Sequence, residues 1–234
     1  MRSVDAVVIG GGCVGTSVLH HLALQGCTDT LLLEAGALGG GSTSKAAGGI
    51  RMQHDDELNT RLALRSLDEF TRFEELTGTP IDFHQVGYLF LLDNDRDLQS
   101  FRRAADVQRA LGVPTEELGV DAVRGLVPGV HTDDLLGATY CALEGYAAPE
   151  AVVQGYAAAA RRLGARLETG TPVLEILVDG AGVSGVRTAD GTIATRRVVI
   201  AAGVGSREVA ATVGFDLPVH AEPRTIFYSG DSGG

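Results

Sequence analysis

Short apolar runs alternate with longer amphipathic stretches along this chain, and the alternation predicts strands and helices in turn. Residues 4–9 (Val-Asp-Ala-Val-Val-Ile) read as a strand that enters a glycine-rich turn, followed by a helix over about 14–25 and a second strand over 30–33. Leu58, Leu62, Leu67, Phe70 and Phe73 stand near helical spacing and predict one amphipathic helix over 58–76, ended by Thr77-Gly78-Thr79-Pro80. A strand is expected over 86–92, helices over 95–111 and 120–126, and a strand over 137–142. The alanine-rich stretch 149–163 predicts a helix with Pro149 in its first turn. A strand-rich block then covers 166–168, 173–178, 182–188, 193–195 and 197–203, with Asp190-Gly191 as a hairpin turn. A helix over 206–213 and a strand over about 220–228 follow.

The most informative segment is the first forty residues. Gly10-Gly11-Gly12-Cys13-Val14-Gly15 satisfies G-x-G-x-x-G between a strand and a helix, and Glu34 closes the next strand. Each part has its own task in holding a dinucleotide. Gly10 permits the sharp turn, Gly12 lets the backbone approach a pyrophosphate, and Gly15 lets the helix pack close to the sheet. The helix N-terminus turns its free N–H groups and positive dipole end toward the phosphates. Glu34 is placed to accept from both hydroxyls of the adenosine ribose and to repel a 2′-phosphate.

The segment from Ala35 to Arg51 has the composition of a flexible linker, but it follows the ribose strand directly and mixes hydroxyls with cations. Ser42 and Thr43 are expected to donate to phosphate oxygens, and Lys45 to bring positive charge to the pyrophosphate or the ring beyond it. Charge sharpens the picture. The net charge of −11 argues against nucleic acid and against an anionic membrane surface. No apolar run reaches the roughly 18 residues of a membrane span, and the opening residues leave no room for a signal peptide. The three cysteines, Cys13, Cys27 and Cys141, stand far apart with no C-x-x-C, so no metal site is expected and the cytoplasm is the simplest compartment.

Taken together, four blocks resemble the D-amino-acid oxidase superfamily of FAD-dependent oxidoreductases: the fingerprint from Asp5 to Glu34, Gly41-Ser42-Thr43 running on to Gly48-Gly49-Ile50-Arg51, Val183-Ser184-Gly185-Val186 with Gly191, and Val198 to Gly203. The Gly-Gly-Ile-Arg stretch looks most like the branch of sarcosine oxidase β-subunits and dimethylglycine dehydrogenases. The resemblance implies an α/β fold: a Rossmann-like FAD-binding domain with an interleaved, incomplete α+β substrate domain. The FAD domain would take residues 1–80 and 144–216, and the partial substrate domain 81–143 and 217–234. It implies that Gly10, Gly12, Gly15, Glu34, Ser42 and Thr43 hold the ADP half, that Val173 meets the adenine through its backbone, and that Ala202 and Gly203 flank the cofactor. Lys45 stands where some relatives carry a histidine that bonds FAD covalently, so noncovalent FAD is expected.

The implied activity is oxidation of the C–N bond of a small-molecule amine or amino acid, of sarcosine, glycine or proline type, by hydride transfer to flavin. Arg51 is the first candidate catalytic residue, as a bidentate partner for a substrate carboxylate, against the alternative of a surface pairing with Asp55 or Asp56. His54 is the second. A partner subunit is implied by analogy. The chain stops where the family's sequence continues, so a truncated, noncatalytic flavin-binding remnant or subunit stands as the alternative, with an NAD-dependent dehydrogenase behind it.

Overall fold

The structure, a computed structural model, describes residues 2–226. Along the chain, β1 (Arg2–Ser3) and β2 (Ala6–Ile9) lead to α1 (Cys13–Leu24) and β3 (Thr30–Leu33). Then come β4 (Gly49–Ile50), α2 (Glu57–Thr71), α3 (Phe73–Thr77), β5 (Tyr88–Leu92), α4 (Asp95–Ala110), β6 (Glu116–Leu118), α5 (Val120–Leu126), β7 (Gly137–Cys141) and β8 (Gly145–Tyr146). α6 (Pro149–Arg162), β9 (Arg166–Glu168), β10 (Glu175–Asp179), β11 (Gly182–Thr188), β12 (Gly191–Ala194), β13 (Val198–Ile200) and α7 (Ser206–Ala211) complete it. The elements gather into two compact units, one of Met1–Ala47, Thr77–Thr79 and Pro149–Gly234, the other of Gly48–Leu76 and Pro80–Ala148. The first therefore keeps 217–226. The second takes in 48–76 and 144–148, which the sequence grouped with the FAD block, because β4 pairs with β8 and the main chain after β4 hydrogen-bonds to Glu144.

The first unit is built on a parallel sheet of order β13-β2-β3-β9. All eight residues of β2 and β3 are buried, and their period-two alternation serves both faces. Val7, Ile9, Leu31 and Leu33 pack against Ile176, Val186 and Ile193 of the four-stranded sheet β1-β12-β11-β10. Val8 and Leu32 pack the opposite way, on Leu19 and Ala23 of α1 and Ala160 of α6. Each such buried aliphatic side chain contributes about 1.5–3 kcal/mol relative to exposure. β2 has β3 on one side and β13 on the other, both parallel, so the strand order reverses at β2. Ligands of open α/β sheets bind at the carboxyl ends of strands beside such a reversal.

The second unit carries an antiparallel sheet of order β5-β7-β6 and the short ladder β4-β8. Asp56 caps α2 by accepting from the Asn59 N–H, and Asn94 caps α4 by accepting from the Asp97 N–H. Met52, Leu67, Val113 and Cys141 form a small core. Beside it lies Glu144, a fully buried carboxylate that accepts from the Met52 N–H, the Gln53 N–H (2.7 Å) and Gln53 Nε2 (2.7 Å).

Three expectations are corrected. The single helix over 58–76 is two helices, because Arg72 leaves helical geometry (φ −111°, ψ 14°). Within the expected helix, Leu58 and Leu62 are exposed while Leu67 and Phe73 are buried. The strand expected over 4–9 begins only at Ala6, as β2, which pairs with β3 and β13; Arg2–Ser3 before it forms the short β1, which pairs with β12 in the other sheet. Residues 220–226 hold no strand, since Pro223 interrupts any ladder, and 227–228 lie outside the described residues.

Two outcomes follow from the second unit. A Cβ on Gly145 would lie 1.8 Å from the His84 carbonyl oxygen, a main-chain atom fixed by the His84–Tyr146 bridge. Gly145→Ala is expected to lower stability by about 1–3 kcal/mol, read from denaturant midpoints. Burial pushes the Glu144 carboxyl above the ordinary glutamate value, against the pull of the Gln53 side chain, the Met52 and Gln53 N–H groups and the Arg51 charge. An acid so raised binds its proton more tightly when folded. Its stabilisation is complete below the unfolded-state pKa and is lost as pH rises through the folded-state value. Unfolding midpoints of the wild type should therefore fall relative to Glu144→Gln from acidic to neutral pH; a constant difference would refute the shift.

Candidate functional site

In the first unit the chain leaves β2 through Gly10, whose φ of +111° lies in the left-handed region. A Cβ there would stand 2.4 Å from the Ala201 carbonyl oxygen, and one on Gly15 would stand 1.9 Å from the Gly10 carbonyl oxygen. Both glycines are thus required for main chain to lie against main chain. Gly12 is different: its added Cβ would meet only Thr43 Oγ1, at 3.1 Å. It is the N-cap of α1 with no side-chain cap, and no acid occupies the first turn of that helix. The Cys13 N–H reaches Thr43 Oγ1 at 3.2 Å, so the hydroxyl sits at the amino end of α1 where a diphosphate would lie.

Glu34 folds over the turn. Its Oε2 accepts from the Gly11 N–H at 2.6 Å and its Oε1 from the Gly36 N–H at 2.7 Å. The segment after β9 runs alongside, with the Gly170 N–H on the Gly36 carbonyl and the Thr171 N–H on the Glu34 carbonyl (2.9 Å). Val173 follows, its side chain packed on the core between the sheets. On the other flank the Ala201 N–H donates to the Ile9 carbonyl, which puts Ala202 and Gly203 beside the Gly10 turn. Ser42 and Lys45 bracket the 3-10 turn at Thr43–Lys45, both exposed. Lys45 is the only lysine in the sequence and makes no ion pair among the described residues. The structure therefore brings Gly10, Gly12, Gly15, Glu34, Thr43, Ala202 and Gly203 to one end of the parallel sheet, with Val173, Ser42 and Lys45 on adjoining loops.

This arrangement fits an adenine dinucleotide. The turn has free main-chain donors, a carboxylate one strand over, and glycines where a side chain would obstruct. FAD is the group it would hold.

In the second unit Gly49, Arg51, His54 and Tyr88 line a cavity of about 300 Å³. The Arg51 guanidinium carbon stands 5.4 Å from the centre of the Phe90 ring, a cation–π placement. The alternative pairing of Arg51 with Asp55 or Asp56 does not occur. Asp56 is committed to Asn59, whose N–H and side-chain amide hold its carboxyl below the usual range. Arg51 thus lines the cavity without an ion pair among the described residues. His54 lines the same cavity, and its main chain is anchored by Gln108 Nε2 on its carbonyl at 2.7 Å. His84 instead bonds Asp82 at 2.8 Å and packs on the Tyr146 ring.

Glu144 and Gln53 were not legible as part of this site. In Ala-Leu-Glu-Gly-Tyr the acid reads as a solvated turn residue, and the partners that bury it are about ninety positions away. The nearest local signal is Gly145, a glycine that the ladder requires.

Residues 5–229 match the model of the FAD dependent oxidoreductase family, DAO. The chain is 33% identical over 218 residues to 4-methylaminobutanoate oxidase (formaldehyde-forming) of Paenarthrobacter nicotinovorans, covering 93% of this chain and 26% of that protein. It is 29% identical over 228 residues to sarcosine oxidase subunit beta of an Arthrobacter species, covering 95% of this chain and 56% of the relative. The solved structure of L-proline dehydrogenase from P. horikoshii superimposes with a TM-score of 0.85 at 33% identity, over 91% of this chain and 56% of that one. The chain thus spans between about a quarter and a little over half of these relatives. A glycine turn, a carboxylate at the end of the next strand and a matched sequence over nearly its whole length lead to one conclusion: this chain belongs to the FAD-dependent oxidoreductases of the DAO family.

Proposed function

We propose that the chain carries the adenine-dinucleotide site and one wall of the substrate pocket of an enzyme that oxidises the C–N bond of an amine or amino acid. The observation that carries this reading is the pairing of two features: a built dinucleotide cradle in one unit and, lining a cavity in the other, an arginine without an ion pair among the described residues. Bound FAD would supply the two-electron acceptor for that oxidation. The residues of this chain bind and orient. α1 offers its amino-terminal N–H groups to the diphosphate, Thr43 and Ser42 offer hydroxyls, and Glu34 offers its carboxylate to the ribose. Lys45 supplies positive charge against a net charge of −11, with FAD held noncovalently. Arg51 engages the substrate carboxylate through its fork of N–H donors, the Phe90 ring backing the guanidinium. His54 lines the pocket beside it as a polar contact for the substrate amine. The substrate class is an N-methyl or cyclic amino acid of sarcosine or proline type, in line with what the relatives' names say of them.

Other parts of the reading are coarser. The likeness to a β subunit supports a partner subunit. Among the described residues no helix is long and apolar enough to cross a membrane. The free cysteines fit a reducing compartment, and we keep the cytoplasm as part of this proposal. The family match sets the NAD-dependent alternative aside. A flavin-binding subunit without turnover of its own is the outcome that the experiments below separate.

Purified protein is expected to show a flavin spectrum that sarcosine or proline bleaches. A flavin spectrum that none of these amines changes would favour the noncatalytic subunit, and no flavin uptake would reject both. Because Lys45 is the sole lysine, an amine-reactive reagent followed by peptide mapping reads the cofactor site directly: FAD should protect Lys45 from labelling. Arg51→Ala is expected to raise KM for a carboxylate-bearing substrate roughly a hundredfold, the loss of a charge-assisted pair of about 1.5–3 kcal/mol.

A further inference from the structure

We infer that Glu144 is the positioning residue for the carboxylate-binding end of the substrate pocket: its buried side chain fixes the main chain at Met52 and Gln53, and so the direction in which Arg51 meets the cavity. The role rests on the substrate reading given above. Glu144 is fully buried, a costly place for a carboxylate unless its partners are fixed donors. Its Oε1 takes the N–H groups of Met52 and Gln53, and its Oε2 takes Gln53 Nε2 at 2.7 Å. Gln53 Nε2 also donates to the Tyr88 carbonyl at 3.1 Å. A carbonyl oxygen only accepts, so the amide nitrogen must face it, and the same nitrogen faces Glu144. Three N–H donors therefore converge on the carboxylate.

The consequence is geometric. Arg51 and His54 flank the clamped pair, and Tyr88 is tied to it through Gln53, so one side chain references three of the four residues that line the cavity. The main chain of Glu144 extends the tie, since its carbonyl accepts from the Gly87 N–H at 2.8 Å, one residue before Tyr88. On the near side, β4 is registered to β8 with Ile50 opposite Gly145, next to Glu144. Arg51 forms no ion pair among the described residues, and its aim depends on the chain beneath it.

The test uses the flavin-loaded full chain and three probes: sarcosine as substrate, dimethylamine as the same amine without its carboxylate, and acetate as a binding ligand read by flavin absorbance. Glu144→Gln keeps the shape but sets an amide against Gln53. It is expected to raise the sarcosine KM and the acetate Kd about tenfold, with little change in kcat and none in the dimethylamine parameters. In an Arg51→Ala background the same change should add almost nothing. If Glu144→Gln does not fold, Gln53→Leu, which removes one of the three donors, should raise the sarcosine KM in the same selective way. A lowered melting temperature with unchanged KM and Kd would overturn the positioning role and leave Glu144 purely structural. Equal losses for sarcosine and dimethylamine would overturn it too. A wild-type protein that binds acetate no better than Arg51→Ala does would instead overturn the substrate reading, and this role with it.

Discussion

No side chain can stand where β2 turns into α1. Gly10 lies with its would-be Cβ inside the Ala201 carbonyl, and Gly15 with its own inside the Gly10 carbonyl. Three stretches of main chain, from β2, α1 and the exit of β13, are thereby held in contact at one end of the parallel sheet. No acid in the first turn of α1 competes for the N–H groups at its amino end, of which that of Cys13 reaches Thr43 Oγ1. The apolar layers on both faces of β2 and β3 hold the strand ends in register beside that turn.

The second unit solves a different problem by the opposite means. Beside its small core stands a buried carboxylate where an aliphatic residue would be the cheaper choice, and the carboxylate is saturated by N–H groups of Met52 and Gln53. Burial resists the charge and the donors favour it. A hydrophobic residue would pack there but would not set the direction of a chain segment, since apolar contacts are indifferent to rotation. Hydrogen bonds to main-chain N–H groups are not.

What the sequence made readable follows from this contrast. The placement of Gly10, Gly12, Gly15 and Glu34 could be read because turn, close approach and the end of the next strand all lie within one strand–helix–strand unit. Ala202 and Gly203 were legible only through the resemblance, since nothing in Val198 to Gly203 says which strand it will flank. The 58–76 helix was misread as continuous because apolar spacing reports a face and not a break, and Leu58 and Leu62 proved exposed. Residues 220–226 looked like a strand by composition, yet pairing partners decide strands and none is there among the described residues. Glu144 was illegible for the same reason in reverse: its meaning lies in Met52 and Gln53, far away along the chain.

Glu34 shows how a binding residue can be finished before its ligand arrives. Its two oxygens already accept from the Gly11 and Gly36 N–H groups, at 2.6 and 2.7 Å. A carboxylate oxygen has capacity for a second donor, so neither bond closes the group to a ribose hydroxyl. The two amides fix the carboxylate where it stands in the ligand-free fold. A fixed anion at this place accepts from a diol and repels a phosphate. In the proposed reading, a carboxylate held there by two glycine N–H groups would favour an adenosine with a free 2′-hydroxyl over one bearing a phosphate.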